Sequence, residues 1–130
     1  MSQSVRFPVR VYMEDTDAGG IVYYVNYLKF MERARSEWLR SLGFDQQSLL
    51  DAGTQLVVYR LSCHYTQPGR LDDALEVSAE VISVGRCRMT FEQHVWRGNE
   101  RLCAATVEIA CLSVSHLRPM AWPSALKSLM

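Results

Sequence analysis

Residues 11–27 of the chain read VYMEDTDAGGIVYYVNY, and this stretch decides how the rest of the sequence is organised. It places three carboxylates, a Gly-Gly pair and four tyrosines between a strand-like start and a long helical run. Asp, Thr and Gly favour turns over the interiors of helices and strands, so a loop is predicted directly before the helix. The loop would bring Asp17 and the backbone amides of residues 19–26 to a helix N-terminus, whose unpaired N–H groups carry partial positive charge.

The residues alone leave two interpretations of this loop open. Fixed amides beside a carboxylate are the parts of an oxyanion site with a base or nucleophile next to it. The simpler alternative is an acidic, capped turn that only starts a helix. In the first interpretation Asp17 is the candidate, and turn hydrogen bonds or an ion pair are expected for Glu14 and Asp15.

The most regular pattern in the chain is helical and covers residues 25–42. Apolar side chains recur at i, i+3 and i+4 spacing, which predicts one buried face. Gly43 follows as a glycine that ends the helix. The residues predicted to be buried are Tyr27, Phe30, Met31, Ala34, Trp38 and Leu42.

Two charged residues lie at or inside the apolar face of this helix. Arg35 falls within the apolar arc, and its stem is expected to run along the edge of the core with its head in water. The alternative is that Arg35 pairs with a carboxylate of the loop. Glu32 lies at the margin of the face, where solvent exposure is expected and contact with a pocket is the alternative.

Composition limits the class of protein. The chain has 130 residues, of which 48% are hydrophobic, so one domain covering residues 1–130 is predicted. It has 14 basic and 14 acidic residues and no net charge, which gives no indication of nucleic-acid binding. The N-terminus lacks an apolar signal region and no apolar run is long enough to cross a bilayer, so a soluble, cytoplasmic protein without membrane insertion is predicted.

The chain contains four cysteines that form no CxxC pair, and each falls in a strand-like segment. This spacing does not fit a zinc site, so no bound metal is predicted. Buried free thiols in a reducing compartment are expected instead. The cysteines are Cys63, Cys87, Cys103 and Cys111.

Alternating apolar residues predict five strands. The first covers residues 5–12, and Pro8 favours an edge position for it. A short helix is predicted over residues 44–52, with Asp45 as N-cap and Gly53 as its stop, and a single helical turn over residues 124–130. The other strands cover residues 55–67, 74–84, 87–96 and 101–114.

This order of elements indicates an α+β domain. Short turns between strands predict mostly antiparallel neighbours, and a helix with one apolar face needs a sheet to cover it. We therefore expect a curved, antiparallel, five-stranded sheet wrapped around one long central helix. An edge strand would allow pairing with a second copy, which makes a homodimer plausible.

Three segments in this order resemble the hotdog-fold acyl-CoA thioesterases, in particular the 4-hydroxybenzoyl-CoA and the Tol-Pal-associated YbgC types. The segments are EDTDAGGIVYY at residues 14–24, FMERAR at residues 30–35 and RLDD at residues 70–73. The resemblance covers nearly the whole chain. It implies hydrolysis of an acyl-CoA substrate to a free acid and coenzyme A, without metal or organic cofactor, by a homodimer or homotetramer.

The resemblance also implies roles for particular residues. Asp17 matches the catalytic carboxylate, and the backbone amide of Tyr24 matches the group that polarises the carbonyl. YbgC-type members usually have histidine where this chain has Tyr24, and tyrosine is closer to the 4-hydroxybenzoyl-CoA type. The predicted substrate-binding residues are Tyr27, Glu32, Arg86 and Arg88. The two arginines are candidates for binding the phosphates of coenzyme A, and Arg70 and Lys127 are weaker candidates for the same role.

The three histidines are assigned no function; they are His64, His94 and His116.

Two other functions remain as alternatives. The chain could be a binding or assembly module that recognises acyl-CoA or an acyl carrier protein without turnover, although the presence of Asp17 argues against lost activity. It could also be a hotdog hydratase or dehydratase, but that chemistry would require a histidine in the loop as acid and base, and residues 11–27 contain none. Acyl-CoA hydrolysis is therefore the favoured prediction.

Overall fold

The computed structural model describes residues 4–130, so the first three residues of the predicted domain 1–130 lie outside it. The described chain contains five strands, three helices and a short 3-10 turn at Met13–Asp15. In chain order the strands and helices are β1 (Ser4–Arg10), α1 (Asn26–Ser41), α2 (Gln46–Asp51), β2 (Thr54–Tyr65), β3 (Ala74–Val84), β4 (Arg88–Arg97), β5 (Glu100–Ser113) and α3 (Ser124–Lys127).

The strands form one antiparallel sheet, as predicted, and their order in it is β1-β3-β4-β5-β2. Register shifts after Val58, Val81 and Val95 mark irregularities in β2, β3 and β4, and such bulges bend a strand and increase its twist. Pro8 lies in β1, which is an edge strand as predicted. The fold is therefore the predicted α+β arrangement.

The connection from β2 to β3 differs from the short turns expected between neighbouring strands. β2 pairs with β5 at the edge of the sheet, and β3 lies on the other side of β4. Residues 66–73 therefore cross from one part of the sheet to another and pass close to the loop before α1. Alternation of apolar residues shows which face of a strand is buried, but it does not show which strand lies beside it.

α1 covers the concave side of the sheet and packs mainly on β1 and β3. It begins and ends one residue inside the predicted bounds, with Val25 as N-cap and Leu42 as C-cap. All six residues predicted for the buried face are buried. Complete burial of one large apolar side chain contributes about 1.5–3 kcal/mol, so these contacts hold α1 on the sheet.

The residues that cap α1 and α2 include the ones that the sequence predicted. Gly43 has φ of 89° directly after α1, and Gly53 has φ of 90° after α2. This left-handed region is costly for other residues, which explains why glycine ends each helix. The Ser48 N–H donates to Asp45 Oδ1 (2.7 Å), so Asp45 is the predicted N-cap of α2.

The β2 edge leaves part of its inner face uncovered. Leu61 and Tyr65 pair with the buried Val107 and Cys103 of β5, yet Leu61 is 39% exposed and Tyr65 43%. Among residues 4–130, no helix is both long and apolar enough to cross a membrane.

Candidate active site

The loop before α1 is a tight hairpin. The Asp17 N–H donates to the Ile21 carbonyl oxygen (2.9 Å), and the Gly20 N–H donates to the Asp17 carbonyl oxygen (3.0 Å). Gly20 has φ of 78°, a conformation that residues with a Cβ rarely adopt. Glycine at this position therefore allows the chain to turn back toward the start of α1.

Asp17 is exposed at the tip of this hairpin. Its Oδ1 accepts a hydrogen bond from the Gly19 N–H (2.9 Å), and a Cβ at residue 19 would lie 3.3 Å from that oxygen. In the part of the chain that the structure describes, no hydrogen bond is donated to Asp17 Oδ2. One oxygen thus fixes the carboxylate while the other remains available for chemistry.

The neighbouring carboxylates differ from Asp17 in their contacts. Asp15 Oδ2 accepts from the Tyr12 N–H (2.9 Å) at the 3-10 turn, which confirms the turn role predicted for Asp15. Glu14 is exposed on the same turn. Asp15 is therefore occupied by a structural hydrogen bond.

Asn26, the first residue of α1, ties the helix to the hairpin. Its side chain is buried, and Nδ2 donates to the Asp15 carbonyl oxygen (2.9 Å). The same carbonyl oxygen accepts from the Tyr23 N–H (2.9 Å). These two bonds hold the carboxylate-bearing side of the hairpin against the first residues of the helix.

The Tyr24 backbone is held on one side and open on the other. Its carbonyl oxygen accepts from the Tyr65 hydroxyl (3.2 Å), while the Tyr24 N–H has no acceptor within residues 4–130. An unpaired N–H at the start of a helix attracts negative charge. An open N–H is what the predicted carbonyl-polarising role of Tyr24 requires.

Tyr24 also lines a cavity of about 310 Å³. The Tyr24 and Tyr65 rings meet edge to face at 6.0 Å, and the Tyr27 ring lies 5.5 Å from Tyr65. Aromatic walls with one open N–H suit an apolar group that carries a carbonyl. The cavity is lined by Ile21, Val22, Tyr24, Tyr27, Tyr65, Thr66, Gln67 and Pro68.

Tyr27, a predicted substrate-binding residue, also has a structural contact. It is 3% exposed, and its hydroxyl accepts from the Gly69 N–H (2.8 Å). Burial raises the pKa of the Tyr27 phenol. The ring thus lines the cavity while the hydroxyl holds the connection between β2 and β3.

This connection is fixed by a partly exposed ion pair between Arg97 and Asp73. Arg97 Nη1 donates to Asp73 Oδ2 (2.7 Å) and to the Pro68 carbonyl oxygen (3.1 Å). Burial raises the pKa of the Asp73 carboxyl, but the hydrogen bonds from Arg97 and from the Arg70 N–H outweigh it and hold this pKa below its ordinary value. The Val22 N–H then donates to the Gly69 carbonyl oxygen (2.8 Å), which joins the connection to the hairpin.

The structure places Glu32 and Arg35 at a second cavity, of about 350 Å³, between α1 and the sheet. The expectation that the Arg35 head lies in water is wrong, and so is the alternative of a loop carboxylate. Arg35 Nη1 donates to Oε1 of the fully buried Gln93 (2.9 Å), because Gln93 on β4 supplies an acceptor beneath α1. Burial lowers the pKa of Arg35, with Glu32 acting in the opposite direction.

Arg86 and Arg88 lie far from Asp17 within one subunit. Arg88 pairs with Ala110 of β5, whereas Tyr65, beside the first cavity, pairs with Cys103. These positions on β5 are separated by about 23 Å at 3.3 Å per residue. The Arg88 guanidinium lies over the Tyr59 ring at 4.9 Å. One subunit therefore does not bring the predicted phosphate-binding residues to the hairpin.

All four cysteines are free thiols; Cys103 and Cys111 are buried and the other two are half-buried. Cys63 and Cys103 lie with their Sγ atoms 3.3 Å apart. The hydrogen bond from Cys103 lowers the pKa of the Cys63 thiol and correspondingly raises that of Cys103. No cluster of metal-binding side chains occurs among the described residues.

Sequence reasoning missed two contributors to the site, Asn26 and Tyr65, and it also missed Gln93, the partner of Arg35 at the second cavity. Asn26 had a weak local signal, as an amide directly before a helical pattern. Tyr65 and Gln93 gave none, because their partners are 41 and 58 residues away in the chain. Such pairs depend on strand order, which the sequence pattern did not provide.

Comparison with known proteins shows which proteins this chain resembles. A protein of Haemophilus influenzae named acyl-CoA thioesterase YbgC is 46% identical over 123 residues, which cover 94% of this chain and 90% of that protein. A protein of Escherichia coli O6:H1 named acyl-CoA thioester hydrolase YbgC is 41% identical over 122 residues, covering 93% and 91%. The crystal structure of a probable thioesterase from Bartonella henselae matches with a TM-score of 0.88 at 33% identity, covering 93% of this chain and 100% of that one.

The five-stranded sheet around α1 is thus a hotdog fold. The thioesterase superfamily matches residues 19–104, and the chain belongs to this family. The matched range begins just after Asp17, so the case for Asp17 depends on the hairpin geometry described above.

Proposed function

We propose that the chain hydrolyses acyl-CoA thioesters to a free acid and coenzyme A. The observation that supports the proposal is the hairpin before α1, which exposes the Asp17 carboxylate and leads into the unpaired Tyr24 N–H at the start of the helix. The names of the Haemophilus and Escherichia relatives support the same substrate class.

The Tyr24 N–H polarises the thioester carbonyl. When this carbonyl is attacked, negative charge develops on its oxygen, and a fixed N–H donor at a helix terminus stabilises that charge. Loss of one such donor typically costs about 10²–10³-fold in rate. The Tyr65 hydroxyl acts indirectly, because its bond to the Tyr24 carbonyl oxygen orients the backbone at this residue.

Asp17 supplies the base or the nucleophile. As a base, it takes a proton from water while the water oxygen bonds to the carbonyl carbon, and the C–S bond then breaks. As a nucleophile, its oxygen forms a mixed anhydride as coenzyme A leaves, and water hydrolyses the anhydride. Both routes consume one water, release the acid and the protonated thiol, and need no cofactor beyond the coenzyme A of the substrate.

A homodimer would complete the site. Antiparallel pairing of two β2 edges brings the Tyr65 end of one strand beside the Thr54 end of the other. The partner's Arg88, which is near that end, would then approach the first subunit's aromatic cavity, and so would the partner's Arg86. These side chains can bind the phosphates of coenzyme A. Two such dimers could pair further into a tetramer. We also propose a cytoplasmic location for the protein.

A panel of acyl-CoA substrates tests the proposal. Short-chain, long-chain and aromatic acyl-CoAs are incubated with the purified protein, and release of free thiol is followed with a thiol reagent. We expect turnover of at least one class. Binding of all classes without thiol release would instead identify an acyl-CoA-binding module.

A further inference from the structure

The second cavity lies apart from the Asp17 hairpin and combines apolar walls with few polar groups. Arg35 lies nine residues into α1, about 13 Å from the helix start at 1.5 Å per residue. A volume of about 350 Å³ falls in the range of small-molecule sites. The walls are formed mainly by Leu39, Leu56, Val58, Met89, Phe91 and Ile109.

Gln93 fixes Arg35 at this cavity. Gln93 Nε2 donates to the Met31 (3.0 Å) and Ser78 (3.2 Å) carbonyl oxygens, and Oε1 accepts from Arg35. The two donated bonds fix the orientation of the Gln93 amide, and its oxygen holds one guanidinium nitrogen in place. A guanidinium has five N–H donors, and among residues 4–130 no carboxylate oxygen lies within 4 Å of Arg35. Most of its donors have no protein acceptor.

A second donor at the cavity also lacks an acceptor. Trp38 is 2% exposed, and its Nε1–H has no hydrogen-bond partner in the described chain. The indole meets the Phe91 ring edge to face at 5.0 Å, and both residues line the cavity. Because this nitrogen is fully buried, the indole serves as an apolar wall, and Arg35 is the donor that a ligand in the cavity can reach.

From these contacts we infer that the cavity binds an apolar chain that ends in a carboxylate. The apolar walls take the chain, and the carboxylate accepts from the open edge of the Arg35 guanidinium, which suits this planar group. Glu32 also lines the cavity, but its carboxylate makes no ion pair with Arg35. The positive charge of Arg35 therefore has no ion-pair partner among residues 4–130, which favours an anion over a neutral end group.

Such a carboxylate has two possible sources. The first is a free fatty acid, the product class of the proposed reaction. The second is the far end of an acyl group whose thioester lies at the Tyr24 amide of the partner subunit, since antiparallel β2 pairing turns the Val58 side of this cavity toward that site. The second source depends on the proposed function, whereas the first does not.

Equilibrium binding tests the site without turnover. Octanoate and 1-octanol are titrated calorimetrically into the full-length wild-type protein. We expect octanoate to bind at least about tenfold more tightly than the alcohol. Arg35→Met should weaken octanoate binding about tenfold or more, the loss expected for a charge-assisted hydrogen bond. Arg35→Lys should recover part of this loss, because it keeps the charge but not the planar fork.

Two further variants separate binding from folding. Arg33→Met is the matched control, since Arg33 is exposed on another face of α1, and it should bind octanoate like the wild type. Trp38→Phe keeps an aromatic wall and removes a donor that the ligand does not reach, so it should change octanoate and octanol binding to a similar extent. Melting temperatures identify any variant that has unfolded.

Hydrolysis distinguishes the two sources. If the carboxylate belongs to the substrate, Arg35→Met lowers kcat/KM at least about tenfold for octanoyl-CoA with an added terminal carboxylate and spares octanoyl-CoA itself. Octanoate binding through Arg35 without this effect identifies the free acid. A protein that binds octanoate through Arg35 but releases no thiol keeps this inference and refutes the proposed function. Octanoate and substrate responses both unaffected by Arg35→Met would overturn the inference.

Discussion

Asp17 and Tyr24 contribute different kinds of atom to the proposed reaction. Asp17 acts through one carboxylate oxygen, while its other oxygen, Oδ1, accepts a hydrogen bond from the Gly19 N–H. Tyr24 acts through its backbone N–H, while its ring is 58% exposed at the cavity. Substitution should therefore affect the two residues very differently.

Tyr24→Phe should retain turnover within about tenfold, a loss of about 1.4 kcal/mol or less, because the backbone N–H remains. Steady-state kinetics on aliphatic and hydroxylated aromatic acyl-CoAs measure this. If the phenol binds a polar acyl group, KM rises for the hydroxylated substrates alone. A fall in kcat of about 10²-fold or more on every substrate would show that the phenol is a general acid and that the backbone account is wrong.

Asn26→Ala should lower both stability and turnover. The variant loses a buried hydrogen bond to the Asp15 carbonyl oxygen, which costs about 1–3 kcal/mol and loosens the hairpin against α1. Urea denaturation and thiol release measure the two effects. Gln47→Ala is the control, because that amide makes only an exposed contact with Asp51 and should change neither quantity. Equal stability and equal turnover of the two variants would show that Asn26 does not support the active-site hairpin.

At the scale of elements, the hairpin depends on the connection between β2 and β3. Asp73 and Arg97 hold that connection, and Gly69 joins it to Val22 of the hairpin. Asp73→Asn should therefore lower the free energy of unfolding by about 1–3 kcal/mol at pH 7, through the lost charge-assisted hydrogen bond.

The pH dependence of this difference has a definite sign. The pKa of Asp73 is depressed in the folded state, so its contribution is complete above the unfolded value of about 3.9 and is lost as pH falls through the folded value. The difference between the two proteins should begin to shrink below about pH 4 and disappear only below the folded pKa of Asp73. The exposed Asp51→Asn serves as control. A difference that persists unchanged into acid would contradict the role of the ionised carboxylate.

The elements show how far the sequence could predict the structure. The long helix, its glycine stop, the Asp45 cap and strand bounds within two residues follow from local periodicity and turn chemistry. The position of β2 beside β5 did not follow, because alternation reports a face and not a neighbour. The prediction for the Arg35 head was wrong for the same reason, because its partner Gln93 lies on β4. Asp17 and Tyr24 lie on one loop, so they could be selected as candidates without knowledge of the strand order, and their roles stay predictions.

At the scale of the whole molecule, the uncovered inner face of β2 explains why a second copy is proposed. Leu61→Lys places a charge in this edge and should shift the protein to monomers and lower turnover at the same time. Light scattering and thiol release follow both. Ile82→Lys is the control, because Ile82 is 51% exposed on β3 and should leave the β2-paired dimer intact. A fully active Leu61→Lys monomer would exclude a shared site.

The most direct measurement of the central claim is the turnover of Asp17→Asn. The amide keeps the size of the side chain but is neither a base nor a useful nucleophile, so thiol release should fall by several orders of magnitude while acyl-CoA still binds. Asp15→Asn, altered at the carboxylate used in the 3-10 turn, should be much milder. A folded Asp17→Asn protein with wild-type turnover would contradict the proposed active site.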